Sequence, residues 1–166
     1  MLINLNVMEK ELKKAFMEKS ISLAMENVEN FKGGPFGAVI VKDGKIVGKG
    51  NNQVTVINDP SAHAEIVAIR DAAKNLNTFD LSGCEIYSSC EPCPMCLGAI
   101  YWARLDKMYY ASTKDDAAAA NFDDSHIYKE LALPKEERKL PSVQMMRDEA
   151  VKVFEEWIKS ENKIPY

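Results

Sequence analysis

His63-Ala64-Glu65 and Pro92-Cys93-Pro94-Met95-Cys96 are the two stretches on which the reading of this chain turns. Between them they offer an imidazole and two thiols, the donors zinc prefers. A catalytic zinc site takes three protein ligands and keeps the fourth position for water. His63, Cys93 and Cys96 are therefore the candidate metal ligands. Glu65 follows the histidine closely enough to handle the protons of that water without binding the metal itself. The pattern points to metal-assisted hydrolysis.

Weaker readings compete with this one. A lone C-x-x-C can be half of a structural zinc site, a redox pair or an accident. A four-cysteine site needs a second close pair, and Cys84 and Cys90 are not so spaced. A redox pair leaves the H-x-E without a use. Taken together, the two stretches read H-x-E … P-C-x-x-C, the signature of zinc-dependent nucleobase deaminases. Cys90-Glu91-Pro92-Cys93 also fits C-x-x-C, so Cys90 stays an alternative ligand; Pro92 directly before Cys93 favours Cys93 and Cys96.

The chain has 166 residues, 46% of them hydrophobic, which predicts a single domain over 1–166 with a full core. Its net charge is −4. Nucleic acid is an unexpected partner on that balance, because sequence-independent binding needs clustered Lys and Arg. The basic residues alternate with acids instead, as in Lys135-Glu136-Glu137-Arg138-Lys139. Four cysteines do not suggest a disulfide scaffold, and the reading is a reducing compartment, by default the cytoplasm. Charges at Glu9, Lys10, Glu11, Lys13 and Lys14 argue against a signal peptide, and no run is long enough to span a membrane.

The periodicity predicts a helix from Met8 to about Phe31, with Leu12, Phe16, Leu23 and Val28 inward. Gly33-Gly34-Pro35 stops it. Strands follow over Phe36–Val41 and Ile46–Val56, joined by an Asp43-Gly44 turn. Asn58-Asp59-Pro60-Ser61 reads as a loop and cap before a helix over Ala62–Leu76, with His63 and Glu65 in its first turn. A strand over Cys84–Ser88, a helix over Cys93–Ala103 opened by Pro94, and a strand over Lys107–Ala111 come next. The remainder reads as polar helix, ending with Val143–Lys159. This order suggests an α/β domain with one mixed sheet between helical layers. Both ligand stretches then open helices, whose positive ends favour thiolate.

The similarity extends beyond the metal stretches. Gly33-Gly-Pro-Phe-Gly-Ala-Val-Ile-Val-Lys-Asp-Gly44, Asn58-Asp-Pro-Ser-Ala-His-Ala-Glu65, Ser89-Cys-Glu-Pro-Cys-Pro-Met-Cys-Leu-Gly-Ala-Ile-Tyr-Trp-Ala-Arg104 and Asn121-Phe-Asp-Asp-Ser125 together resemble the cytidine-deaminase-like zinc deaminases. Within that superfamily the chain is most similar to the bacterial guanine deaminases, from about Phe16 to Leu140. The resemblance implies a three-layer α/β/α cytidine deaminase-like fold with a central mixed sheet, and hydrolysis of guanine to xanthine and ammonia. It implies zinc on His63, Cys93 and Cys96, with Glu65 as proton shuttle. It implies a purine-base pocket built from Asn52, Asp124, Phe36 and Trp102. It implies a homodimer in which the segment from about 141 to 166 crosses to the partner subunit and Tyr166 closes the pocket. Glu149 is the candidate for a second, late glutamate that moves protons, although an ordinary surface glutamate fits it as well. The segment from Ser142 to Lys159 departs from the pattern, and His126 stands where an aromatic or apolar residue is expected. Competing activities are guanosine, cytosine and tRNA adenosine deamination. From another class comes a non-catalytic zinc-stabilised module, which would have no use for Glu65.

Overall fold

Phe16, Ser20, Leu23, Ala24 and Asn27 recur at helical spacing and are all buried, which defines the inner face of helix α1 (Leu2–Glu29) in the computed structural model. The structure describes residues 2–165. Leu12 and Val28, expected inward, lie at the flanks of this stripe and are exposed; the polar Ser20 and Asn27 take the inner positions instead. The helix lies on one face of a four-stranded sheet with the order β2-β1-β3-β4.

β1 (Gly37–Lys42) and β2 (Lys45–Asn51) form the expected hairpin. Asp43 and Gly44 both have positive φ, 49° and 71°, the backbone a tight primed turn demands. β3 (Cys84–Cys90) pairs antiparallel with β1 and parallel with β4 (Lys107–Ser112), so the sheet is mixed. Alternation along β1 sorts the core into two layers. Val39 and Val41 meet Phe16, Leu23 and Tyr87 on the α1 side. Ala38 and Ile40 meet Ala64, Ala68, Ala72, Ile86 and Ile100 on the other. That second layer is roofed by α3 (Ala64–Leu76) and α4 (Pro94–Trp102). The three-layer α/β/α fold with a mixed sheet is thus present.

The second strand ends earlier than its sequence pattern predicts. Beyond Asn51 the chain leaves the ladder, and Val54–Ile57 forms a short helical turn, α2. The Asn52 side chain is the cause, because its Oδ1 accepts from the backbone N–H of Val54 and competes with strand pairing. The expected cap at Asn58–Ser61 is instead a closed turn in which Asp59 accepts from Ser61 N and Oγ. α5 (Lys114–Ala119) is opened by a reciprocal capping pair between Thr113 and Asp116.

The chain divides into two compact units after Asp124. The second contains α6 (Ser125–Ala132), a short turn of 3₁₀ helix at Lys135–Glu137, and α7 (Arg147–Lys159). α7 starts later than the predicted Val143, because residues 141–146 are non-helical and Met146 has a left-handed backbone with φ of 52°. None of the described residues of this unit is buried. Among the described residues no helix is long and apolar enough to cross a membrane.

One contact decides where the site forms. A methyl group on Gly50 would lie 2.1 Å from the Ala64 carbonyl oxygen and 2.5 Å from Ala68 N. One on Gly48 would lie 2.5 Å from the Ala68 carbonyl oxygen. α3 rests on bare backbone, nearer than any side chain allows. Gly50→Ala is expected to lower folding stability by about 2 kcal/mol or more, as overpacking does. It should also weaken zinc retention, because it pushes the first turn of α3 outward. Lys49→Ala, on the solvent face between the two glycines, should shift stability by less than about 0.5 kcal/mol. Thermal unfolding and metal analysis of both variants check this.

Candidate active site

The His63 ring and the Cys93 and Cys96 sulfurs converge from two helix N-termini. His63 is the residue before α3, not part of its first turn, and makes no side-chain cap bond. Its Nδ1 lies 3.5 Å from each sulfur. Cys93 stands before α4, Pro94 opens the helix, and Cys96 lies in its first turn. The three donor atoms lie within 4.8 Å of one another. Bond lengths of about 2.0 Å to nitrogen and 2.3 Å to sulfur in a tetrahedron give N···S edges of about 3.5 Å. The residues present therefore fit zinc. Among the described residues no other group of three such side chains is so placed.

The charge pattern of the cluster agrees with that fit. Cys93 is held as a thiolate, its pKa lowered to about 4 by hydrogen bonds from the Cys96 thiol, His63 and the Cys96 backbone N–H. The Cys96 thiol is pushed up by the bond it makes to Cys93 and by burial. Bonding to Cys93 raises the His63 pKa in turn. Negative charge on Cys93 is thus favoured within the cluster that a divalent cation would occupy.

Glu65 faces this cluster from the first turn of α3 and is buried. Its Oε1 accepts from Ser88 Oγ at 3.0 Å, and its Oε2 accepts from Cys96 Sγ at 3.3 Å. Burial pushes its pKa above the ordinary carboxylate value. The serine hydroxyl anchors one carboxylate oxygen and leaves the other turned to the metal donors. Ser88 appears in the sequence only as a neighbour of the cysteine stretch; nothing in its spacing marks this bond.

Asn52 is buried at the end of β2, and its Oδ1 accepts from Gly34 N at 3.1 Å and Val54 N at 3.2 Å. Asp124 is half-buried, and burial together with the Cys93 charge raises its pKa. Phe36 is partly buried beside the α3–α4 core and meets Phe122 edge to face, ring centres 5.0 Å apart. Phe122, in Asn121-Phe-Asp-Asp-Ser125, had not been singled out from the sequence. Trp102 closes α4, is 69% exposed, and lines an open groove with Gly98, Tyr101 and Arg104. Glu149 and His126 are exposed in the second unit. Tyr166 lies outside the described residues.

Cys90 and Cys84 separate cleanly from the metal donors. Cys90 ends β3 with its thiol toward the Thr113 carbonyl oxygen at 3.5 Å, and Cys84 is fully buried in the core.

Residues 10–112 match the family described as the cytidine and deoxycytidylate deaminase zinc-binding region. The chain belongs to this family. Its zinc is the family's zinc. The deaminase is 53% identical to guanine deaminase from Bacillus subtilis (strain 168) over 91% of its own length and 97% of that protein. The crystal structure of the Bacillus subtilis guanine deaminase superposes with a TM-score of 0.89 at 52% identity, covering 92% of this chain and 98% of the other. A guanine deaminase from Nitrosomonas europaea superposes with a TM-score of 0.63 at 35% identity over 66% and 64%. The tRNA-specific adenosine deaminase of Aquifex aeolicus is 46% identical, but over 47% of this chain and 52% of that one.

Cys93→Ala and Cys96→Ala are each expected to lose most bound zinc, whereas Cys90→Ala and Cys84→Ala keep it. Elemental analysis of the four purified variants makes the comparison; an empty Cys90→Ala protein would move a ligand to that residue.

Proposed function

We propose that this deaminase hydrolyses guanine at C2, consuming water and releasing xanthine and ammonia. The observation that carries the reading is a zinc-fitting triangle faced by a buried glutamate, in a chain 53% identical to a guanine deaminase over nearly its whole length. tRNA adenosine deamination is the weaker reading. The tRNA deaminase matches that cover 72–76% of the chain are only 33–36% identical, against 53% over 91% for the guanine deaminase, and a net charge of −4 does not suit a phosphate-rich substrate.

Each residue has a chemical part. His63, Cys93 and Cys96 hold the zinc, which supplies a Lewis acid and an activated water when bound. Glu65 accepts one proton of the attacking water and delivers it to N3 of the ring; it then takes the remaining proton from the C2 hydroxyl of the tetrahedral centre and passes it to the amine, so that ammonia leaves as the C2 carbonyl forms. Ser88 keeps its carboxylate aimed. Asn52 has its oxygen engaged by backbone, so its amine is the edge offered to the base. Asp124 accepts from an imidazole-side N–H of the purine. Phe36, with Phe122 behind it, forms an apolar wall; Trp102 is a further wall on the same reading. Glu149 keeps only the proton-moving candidacy that the resemblance gives it and is assigned no step.

We also read residues 1–166 as one deaminase domain acting as a homodimer, the second unit exchanged between subunits. α7 carries Val151, Phe154, Trp157 and Ile158 along one stripe, and none of them is buried. β4 ends the sheet with an unpaired edge. A partner subunit that covers these surfaces accounts for both. Four cysteines free of disulfides fit a reducing cytoplasm.

Glu65→Gln should keep its zinc and lose at least about 10²-fold in turnover, the low end for general acid–base catalysis. Ammonia release from a panel of bases and nucleosides should be far fastest with guanine; preference for guanosine would reassign the substrate. Removing residues 162–166 should leave a folded, zinc-loaded protein with poor guanine turnover. Mixing that truncation with full-length Glu65→Gln tests exchange: activity recovered in mixed dimers supports a tail donated in trans, and no recovery refutes it.

A further inference from the structure

Asn27 sits near the end of α1, outside every motif, and is 2% exposed. A buried amide is costly unless its polar groups are met. Here all of them are met, and each partner belongs to one small region. Its Nδ2 donates to the Gly34 carbonyl oxygen at 2.9 Å and to the Asn52 carbonyl oxygen at 2.8 Å. Its Oδ1 accepts from Asn51 Nδ2 at 2.7 Å. Gly34 in turn donates its N–H to Asn52 Oδ1. The bonds form a closed ring: Asn27 holds the Asn52 backbone directly, and through Gly34 it holds the rotation of the Asn52 carboxamide. Gly33 presses the same loop onto Asn52, with φ of +75° and a hypothetical methyl only 2.1 Å from the Asn52 carbonyl oxygen.

We propose that Asn27 is a positioning residue for base recognition, setting which edge of the Asn52 side chain meets the substrate. This rests on the reading of Asn52 as a base-binding group. None of the bonds of Asn27 reaches a metal donor or Glu65. Its loss should therefore weaken binding of the base and spare both the metal and the chemical step.

The test is a double-mutant cycle on the zinc-loaded full chain with Asn27→Ala, Asn52→Ala and the double variant. The readouts are zinc content, kcat, KM for guanine, and the dissociation constant of 8-azaguanine. Asn27→Ala should raise KM and the 8-azaguanine dissociation constant by about 10-fold, the scale of stranded buried carbonyls, with kcat changed by less than about 3-fold. In the Asn52→Ala background the same change should have no further effect, because its target is gone. Asn27→Ser, which keeps one donor, should show a smaller shift of the same kind, and serves if the alanine variant fails to fold. Unchanged binding, a joint loss of zinc and kcat, or full additivity with Asn52→Ala overturns the proposal while the role of Asn52 stands. If Asn52→Ala itself leaves binding unchanged, both readings fall.

Discussion

The approach of α3 to β2 is the constraint from which the rest of the site follows. Gly48 and Gly50 present no side chain, so Ala64, Ala68 and Ala72 settle almost onto the strand backbone. Small residues on both sides make the contact short and unforgiving. That depth puts the start of α3 level with the start of α4, which the buried Ile100 ties to the same core cluster. His63 then meets the two sulfurs with the separation that tetrahedral zinc coordination needs. The geometry of the metal seat is inherited from helix–sheet packing and not from a flexible loop, which is the condition for a preorganised site.

The electrostatics add a second layer of order. The groups around Cys93 favour its charged form, whereas Cys96 is held in its neutral form by its bond to Cys93 and by burial. Glu65 is placed in the same dry region, where burial works against its ionisation and Ser88 supplies one fixed hydrogen bond. Burial favours its neutral form and the Ser88 hydrogen bond favours its charged form, so the two influences act in opposite directions on one group.

The metal donors, Glu65 and the layered α/β class were legible in the sequence because their signals are local and chemically narrow: spacing, residue type and strand alternation. Other features were not. Asn27 was invisible, since a polar residue among apolar ones on a helix announces a break in the stripe and nothing more. Its partners lie across the hairpin, and only folding brings them together. The end of β2 was misjudged for the same reason, because the Asn52 side chain takes the Val54 N–H that a longer strand would have used. His63 fell just before α3, in the position where a side chain would ordinarily cap the helix, because its ring is committed to the sulfurs instead. In α1, amphipathic spacing named Phe16 and Leu23 correctly and overran the stripe at Leu12 and Val28.

Cys93 and Cys96 bring their sulfurs together in the metal cluster, where both can bond to a cation or to each other. A thiolate held beside a thiol, at the N-terminus of a helix and two residues apart in between, is the arrangement from which thiol–disulfide exchange proceeds. Zinc occupies both sulfurs as ligands, whereas a disulfide would leave neither able to bind it. Metal loading and oxidation would therefore compete for the same pair of atoms.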